Sequence, residues 1–373
     1  MMTKREPGRR DACDVVVVGA GLIGAAVAAR LAREGLETTV LEARSVAGGA
    51  TGRSLGMALL GLAGHYSWAV SVYGRQRARE IWALTAGGRA RLVEAAEELD
   101  VPFRRTGSLA LAVDDEESDA LWESAKLLRD DGFDASFTLT DPLERGFSGA
   151  LRQPGDVAVN ATALTHAVLG QEGITVREGA EVHALEPVED GIRVWAHGWT
   201  VTCDSVVLAV NGYAALVDPY LAESVAPVSC FVFATGPLDE PIAEALSTFD
   251  RGTGLLRGLP EGGLLLGSWQ RGATHVDGEH ARDRLRDVVA RHVPEMDLAT
   301  ADRWSEVMGF TPDGLPLVGR LPGLPQVHFA VGFGGRGLSW AFVVAERLVK
   351  TMTDGAELGP LSAERLADAE TSS

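Results

Sequence analysis

The chain has 373 residues, 46% hydrophobic and 23% charged, a size that suits two interleaved domains of a globular protein. Its 52 acidic residues against 34 Lys and Arg leave a formal charge of −18, which argues against nucleic acid and anionic membrane surfaces as partners. Three cysteines (Cys13, Cys203, Cys230) and eight histidines make no CxxC, HxxxH or HExxH spacing, so free thiols in a reducing compartment and no protein-bound metal are expected.

Residues 1–12 are polar and basic and are expected to form a disordered tail. Arg9-Arg10 ahead of an alanine-rich apolar run has the look of an export signal. The run instead carries a fold motif, and glycines with Arg30, Arg33 and Glu34 interrupt it too often for a membrane span. A cytoplasmic protein is therefore expected. From Asp14 to Glu42 the chain reads DVVVVGAGLIGAAVAARLAREGLETTVLE. This is a strand, the glycines Gly19, Gly21 and Gly24 in GxGxxG spacing, a helix, and a second strand ending in Glu42. Gly19 permits a tight turn, Gly21 lets the backbone approach a diphosphate, and Gly24 lets the helix pack close to the sheet. The helix N-terminus offers N–H groups and partial positive charge to the anion. Glu42, eighteen residues beyond Gly24, falls where a carboxylate takes ribose hydroxyls and repels a 2′-phosphate. A plain flexible turn is the bland alternative. Strand, glycines, helix, strand and acid in this order outweigh it and predict a redox dinucleotide other than NADP.

A glycine-rich loop, AGGATGRSLGM, occupies 47–57. Residues 67–99 read as helix with a break near Gly87-Gly88, and 107–113 as a strand. Asp114 caps an acidic helix to about Arg129, and 162–169 is helical. Short strands are predicted at 174–178, 182–186, 192–196 and 200–202. A fully apolar strand of the buried parallel type follows at 205–210 and ends in Asn211-Gly212. Strands at 228–234, 254–257 and 264–269, joined by Pro/Gly turns, and a charged helix at 279–291 suggest a separate, mostly antiparallel layer. The last block holds FTPDGLPLVG (310–319), a strand at 327–331, a glycine turn at 332–337 and an apolar helix at 338–349.

The final block repeats the logic of the first: strand, glycine loop, helix. If one cofactor spans both, its diphosphate lies at Gly19–Gly24 and its redox ring near 332–337. A helix N-terminus there would stabilise negative charge on a reduced flavin. NAD has no need of a remote second loop, so the pairing of the two ends suggests FAD.

With these motifs in place the chain resembles the D-amino-acid oxidase / glycine oxidase / sarcosine oxidase group of FAD-dependent amine oxidoreductases. The resemblance rests on VVVVGAGLIGAAVAARLAREGLETTVLE, GGATGRSLG, DSVVLAVNGYA and the C-terminal FTPDGLPLVG with VHFAVGFGGRGLSWA, in that order. It frames nearly the whole chain, with 215–305 weakly matched. It implies an α/β FAD-binding Rossmann-like domain of the glutathione-reductase type, with an α+β substrate domain built on a mostly antiparallel sheet. The FAD-binding domain would be discontinuous (13–75, 150–214 and 306–355). The substrate domain would take 76–149 and 215–305, and a loose tail 356–373.

By the same resemblance, Gly19, Gly21 and Gly24 hold the FAD diphosphate, and Glu42, Ala43 and Arg44 the adenosine end. Val182 makes a backbone contact to adenine. Thr51, Gly52 and Arg53 form a second contact loop, and Asp313, Gly334, Gly335, Arg336, Gly337 and Leu338 line the ribityl chain and ring. The departures narrow the substrate. Met308 stands where the family's arginine clamps a substrate carboxylate, and Ser339 where a lysine assists it. Glu306 replaces a cysteine that anchors FAD covalently, so non-covalent FAD is expected. Leu265 replaces the lysine credited with activating O2. Arg53, Arg257, Arg271 or Arg336 could supply a relocated clamp, the competing reading for each being a solvated surface arginine. His65, Tyr66, Tyr213 and Trp269 are pocket candidates whose competing reading is packing.

The reaction implied is oxidation of a C–N bond in an amine, N-alkyl or modified amino-acid substrate. Hydride passes to flavin N5, the imine hydrolyses, and O2 or another acceptor reoxidises the flavin, O2 giving H2O2. His65, Tyr66, Arg257, Trp269 and Met308 are the pocket candidates for it. The partners expected are a small amine and the acceptor, with no nucleic acid or membrane, and a homo-oligomer remains open. Two alternatives are an FAD-dependent 2-hydroxy-acid dehydrogenase and a non-catalytic FAD-binding subunit of a larger oxidase.

Overall fold

Four consecutive valines suit a strand covered on both faces, because a half-exposed strand alternates apolar with polar residues. In the computed structural model, which describes residues 9–239, 242, 246–269 and 278–366, Val15–Val18 close β1 (Arg9–Val18). Val15 and Val17 enter one buried cluster, Val16 and Val18 another, as the two faces of a strand require. β1 lies between β2 (Thr38–Leu41) and β12 (Trp199–Leu208), parallel to both. β9 (Ile174–Arg177) joins β2 in parallel, and β19 (Leu324–Val331) joins the end of β12. β18 (Leu317–Leu321) closes that edge antiparallel. The first half of β12 instead carries β11 (Gly191–Ala196), which pairs with β10 (Val182–Val188). Helices α1 (Leu22–Arg33), α6 (Ala161–Leu169) and α9 (Gly337–Asp354) share one buried cluster with this sheet.

A second sheet of eight strands runs in the order β17 (Asp302–Phe310), β13 (Ala226–Ala234), β16 (Leu264–Ser268), β15 (Gly254–Gly258), β14 (Leu246–Phe249), β5 (Ser108–Ala112), β7 (Gly149–Gln153), β6 (Ser136–Thr138). Every pairing is antiparallel except β14 with β5. The predicted mostly antiparallel layer is this sheet. Helix α5 (Asp115–Asp130) packs on it, its start fixed by Asp114, whose carboxylate accepts from Glu117 N at 2.7 Å. α8 (Gly278–His292) lies at the other end of the same layer's sequence. A small sheet of β3 (Met57–Ala58), β8 (Val157–Val159) and β4 (Phe103–Arg104) bridges the halves. The remaining helices are α2 (Ala50–Arg53), α3 (Tyr66–Tyr73), α4 (Arg75–Glu98) and α7 (Pro219–Ser224).

Several expectations change. Residues 9–12 are strand rather than tail, because Arg9–Cys13 pair in register with Trp199–Cys203; residues 1–8 lie outside the described ones. The segment after 355 is held as far as it is described. Leu361 is fully buried, and Arg365 donates to Asp313 at 2.7 and 3.0 Å. Helix 67–99 does not break at Gly87-Gly88. It breaks at Gly74, whose φ of +79° ends α3. At Gly88 a Cβ would stand 1.9 Å from Ser339 O, so that glycine lets α4 and α9 approach. The two strands predicted at 200–202 and 205–210 are one, β12. The domain boundary at 76 does not fall between separate cores: Ile81, Trp82 and Leu92 of α4 share a cluster with Val27 of α1 and Leu121 of α5.

Candidate active site

Both glycine turns leave the same edge of the parallel sheet. Val18 of β1 is in register with Leu208 of β12, and Leu208 with Phe329 of β19. Gly19 and Gly332 therefore follow strands separated by one neighbour, roughly 10 Å across the sheet. The carboxyl edge of an open parallel sheet is where such folds bind ligands.

The first turn is shaped by what cannot be there. Gly19 has φ +105°, and a Cβ on Gly24 would lie 2.0 Å from Gly19 O. A Cβ on Gly21 would approach Thr51 Oγ1 to 3.2 Å. Leu22 N donates to that hydroxyl at 3.1 Å, so the second glycine loop caps the start of α1. Glu42 accepts from Ala20 N at 2.8 Å and from Arg44 N at 2.9 Å. A carboxylate has about four acceptor sites, so capacity remains for a ribose. Ala180 N and Gly179 N bond Glu42 O and Arg44 O at 2.8 and 3.1 Å, which brings the start of β10, with Val182, beside Ala43. Arg44 lies 5.5 Å from the centroid of the Tyr213 ring. Gly52 has no room for a side chain, since a Cβ would meet Ala47 O at 2.4 Å. This cradle, backbone-lined in front of α1 and closed by an acid, fits a dinucleotide diphosphate and its ribose.

The second turn is fixed by Asn211, whose side-chain oxygen accepts from Phe333 N at 3.1 Å. Gly334 has φ +53°, and Gly337 and Leu338 open α9. Trp269 lies against the turn: a Cβ on Gly335 would meet its ring at 3.1 Å. Around Trp269 gather Val228, Cys230, Ala63, Leu255, Met308 and Phe310, an apolar wall on the second sheet. Burial pushes the Cys230 thiol up to about 12, so it stays protonated. Met308 and Trp269 are thus brought together beside the second turn. The Ser339 hydroxyl, one residue beyond Leu338, is spent on Leu59 O at 2.7 Å. Leu265 packs in a different cluster, with Leu55, Met57 and Leu59. The Asp313 carboxylate is occupied within the chain: Arg365 donates to it, and it accepts from Leu315 N at 3.2 Å.

The polar candidates divide. Arg53 pairs with Glu306 at 2.7 Å, and Tyr213 donates to the same carboxylate at 2.8 Å. Arg257 donates to Leu55 O. Arg271 lies outside the described residues. Tyr66 is buried, with its hydroxyl on Asp131 Oδ2 at 2.6 Å. His65 Nε2 stands 3.2 Å from Glu117 Oε1. Arg336 is only 8% exposed, and its Nε and Nη1 are enclosed with no hydrogen-bond partner. Burial draws its guanidinium down to about 10, opposed by the nearby Asp156 charge, so it remains cationic at neutral pH. Asp156 and Glu117, both buried, give no signal in the sequence. Asp156 sits in a Pro-Gly-Asp triplet that reads as an ordinary turn, and Glu117 in an acidic helix start.

A family model described as DAO, FAD dependent oxidoreductase, matches residues 14–351. The chain is 30% identical to the tRNA 5-methylaminomethyl-2-thiouridine biosynthesis bifunctional protein MnmC of Polaromonas sp., over 97% of this chain and 60% of that protein. It thus spans about three-fifths of the length of that relative. It is 27% identical to the glycine oxidase of Geobacillus kaustophilus, over 94% of this chain and 97% of that protein. Among solved structures, glycine oxidase from Geobacillus kaustophilus superposes with a TM-score of 0.79 at 23% identity, covering 95% of this chain and 98% of that one. L-proline dehydrogenase from P. horikoshii gives 0.78 at 21% identity, covering 97% and 99%. At these identities the two structures speak for the fold. Among the described residues, no helix is long and apolar enough to cross a membrane.

Proposed function

This chain belongs to the DAO family of FAD-dependent oxidoreductases, and on that premise we propose that it oxidises the C–N bond of a small amine or N-substituted amino acid. FAD is its cofactor, and when bound supplies the two-electron acceptor. Gly19, Gly21, Gly24 and Glu42 would hold the diphosphate and ribose without a covalent link, and the turn at Gly334–Leu338 the ring side. The observation that carries the reading is the shared sheet edge of the two glycine turns, with the Trp269–Met308–Phe310 wall against the second.

That wall does three things for such a reaction. It excludes water, it favours the neutral form of an amine over its ammonium, and it restricts the pose in which a C–H bond is presented. The substrate loses a hydride and a proton to become an imine, and water hydrolyses the imine to a carbonyl compound and an amine. Among the described residues of the wall there is no cation, so any substrate carboxylate is held outside it. O2 is the acceptor we propose, with H2O2 as its product.

The test is anaerobic mixing of the FAD-loaded protein with amines, N-methyl amino acids and 2-hydroxy acids. Bleaching of the flavin band by amines, followed by reoxidation in air, is the expected result. Bleaching by hydroxy acids alone would replace the proposal with a hydroxy-acid dehydrogenase, and no bleaching by any of them with a non-catalytic subunit.

A further inference from the structure

Two of the three cysteines meet across the central sheet. Cys13 on β1 and Cys203 on β12 are cross-strand partners, in a parallel register that runs unbroken from Arg9–Trp199 to Cys13–Cys203. Adjacent strands lie about 4.8 Å apart, within the roughly 4.4–6.8 Å between Cα atoms that a disulfide spans. The two side chains also share a face. Cys203 belongs to the buried cluster that holds Val201 and Val206, and Cys13 packs against the same cluster. The third cysteine, Cys230, belongs to the apolar wall of the second sheet.

Cys13 Sγ donates to Val15 O at 3.4 Å and Cys203 Sγ to Ile192 O at 3.6 Å, weak contacts that an S–S bond can replace. Burial raises both thiols, Cys203 to about 12. Cys203 is 2% exposed and Cys13 half-buried, so an oxidant reaches Cys13 first. Packing alone is the competing reading, since a free cysteine fills space as a small apolar residue. The position of the pair is what gives it consequence. Beyond it, β1 and β12 run on to the first glycine turn. There Ala209 N bonds Val18 O at 2.9 Å, and a Cβ on Gly19 would meet Ala209 O at 2.8 Å. The same two strands carry the cysteines at one end and the diphosphate turn at the other.

We propose that Cys13 and Cys203 form a reversible disulfide, a peroxide-driven staple between the two strands that carry the diphosphate turn. The Cys13 thiol and hydrogen peroxide give a sulfenic acid and one water. The Cys203 thiol then attacks that sulfur, and the S–S bond forms as a second water leaves. The two sulfurs give up two electrons to the peroxide O–O bond, and both thiol hydrogens end in the waters. A small dithiol reverses the step by exchange. The bond closes a loop of about 190 residues, and long loops gain most from closure. Peroxide is what O2 would yield in the proposed reaction, but the site stands apart from the amine reading because the oxidant can be supplied from outside.

The test starts from FAD-loaded protein that has been reduced with dithiothreitol, freed of it and treated with hydrogen peroxide. The chain is then alkylated under denaturing conditions, digested and mapped by mass spectrometry. The three cysteines alkylated before treatment should fall to one, Cys230, with a linked Cys13–Cys203 peptide pair lighter than its two parts by two hydrogens. Dithiothreitol should restore all three. The oxidised form should melt about 3–10 °C above the reduced one. C13S should show neither the linked pair nor the rise, and the native peptide map decides the matter even if that variant does not fold. Three surviving thiols, sulfinic or sulfonic acids on unlinked cysteines, or a bridge to Cys230 or to a second chain overturns the disulfide. A linked pair with an unchanged melting temperature overturns the staple. Linking by peroxide in a protein whose flavin no amine bleaches overturns the amine reading alone and leaves this site standing.

Discussion

Trp269 lies close enough to the second glycine turn that a methyl group on Gly335 would touch its ring at 3.1 Å. The contact joins the two halves of the molecule, since Trp269 follows β16 of the second sheet and Gly335 precedes α9 of the first. It also places the largest side chain of the apolar wall at the proposed ring-side loop. A Gly335→Val variant should push the indole off the turn. We expect it to fold with a melting temperature within a few degrees of native but to release FAD at least tenfold more readily, about 1.4 kcal/mol of cofactor binding. Flavin retained after gel filtration measures this, and full retention would separate Trp269 from the cofactor site.

The first turn makes a sharper prediction. At Gly24 even alanine places its Cβ 2.0 Å from Gly19 O, and both atoms are backbone-anchored. The strand–helix junction has to open, and overpacking of this kind costs about 1–3 kcal/mol. Gly24→Ala is expected to be purified colourless, with an intact far-UV circular dichroism spectrum. Alanine at Gly87, which has open space around it, is the control and should leave the flavin in place.

These two positions show what the sequence can and cannot disclose. β1, α1 and β2 are legible because a valine run, spaced glycines and a helical alanine stretch each have one physical reading, and they agree. Gly88 misleads because a glycine that ends a helix and a glycine that admits a second helix look the same. Only the approach of Ser339 O distinguishes them. β14 gives no signal because its four residues are all buried and show no alternation, and β6 because it is three residues long. At the site, the loss of the family's clamp at Met308 is legible. The inward turn of Arg336 is not, because burial of an arginine is decided by distant partners such as Asp156.

Asp156 should be among the least replaceable residues outside the glycine turns. Asp156→Asn keeps the shape and removes the charge that balances Arg89, leaving buried cations uncompensated. Breaking a buried pair in this way costs about 3–5 kcal/mol. Thermal melting of the FAD-loaded variant measures it, and a change within a degree of native would mean that solvation, not Asp156, stabilises the Arg89 charge.

A different buried group sets a pH limit. His328 on β19 is 4% exposed, its Nδ1 lacks a partner, and Arg320 is its cross-strand neighbour on β18. Burial first, then the Arg320 charge, lowers its imidazole from the ordinary 6.5 to about 4. The folded protein therefore keeps His328 neutral in a range where the unfolded chain is protonated. With the folded value depressed, the unfolded state binds the extra proton, and stability falls as pH drops from about 6.5 towards 4. The loss should be about 2 kcal/mol by pH 5 and about 3 kcal/mol at the bottom of the window. Asp313 acts in a lower one. Burial raises its carboxyl, but Arg365 outweighs that and holds it below the usual 3.8, so its contribution persists until pH falls beneath that range. The difference in melting temperature between pH 7 and pH 5 is therefore expected to shrink in His328→Leu and to stay unchanged in Asp313→Asn. Parallel melting curves for native protein and His328→Leu across that interval would assign the acid sensitivity to some other residue.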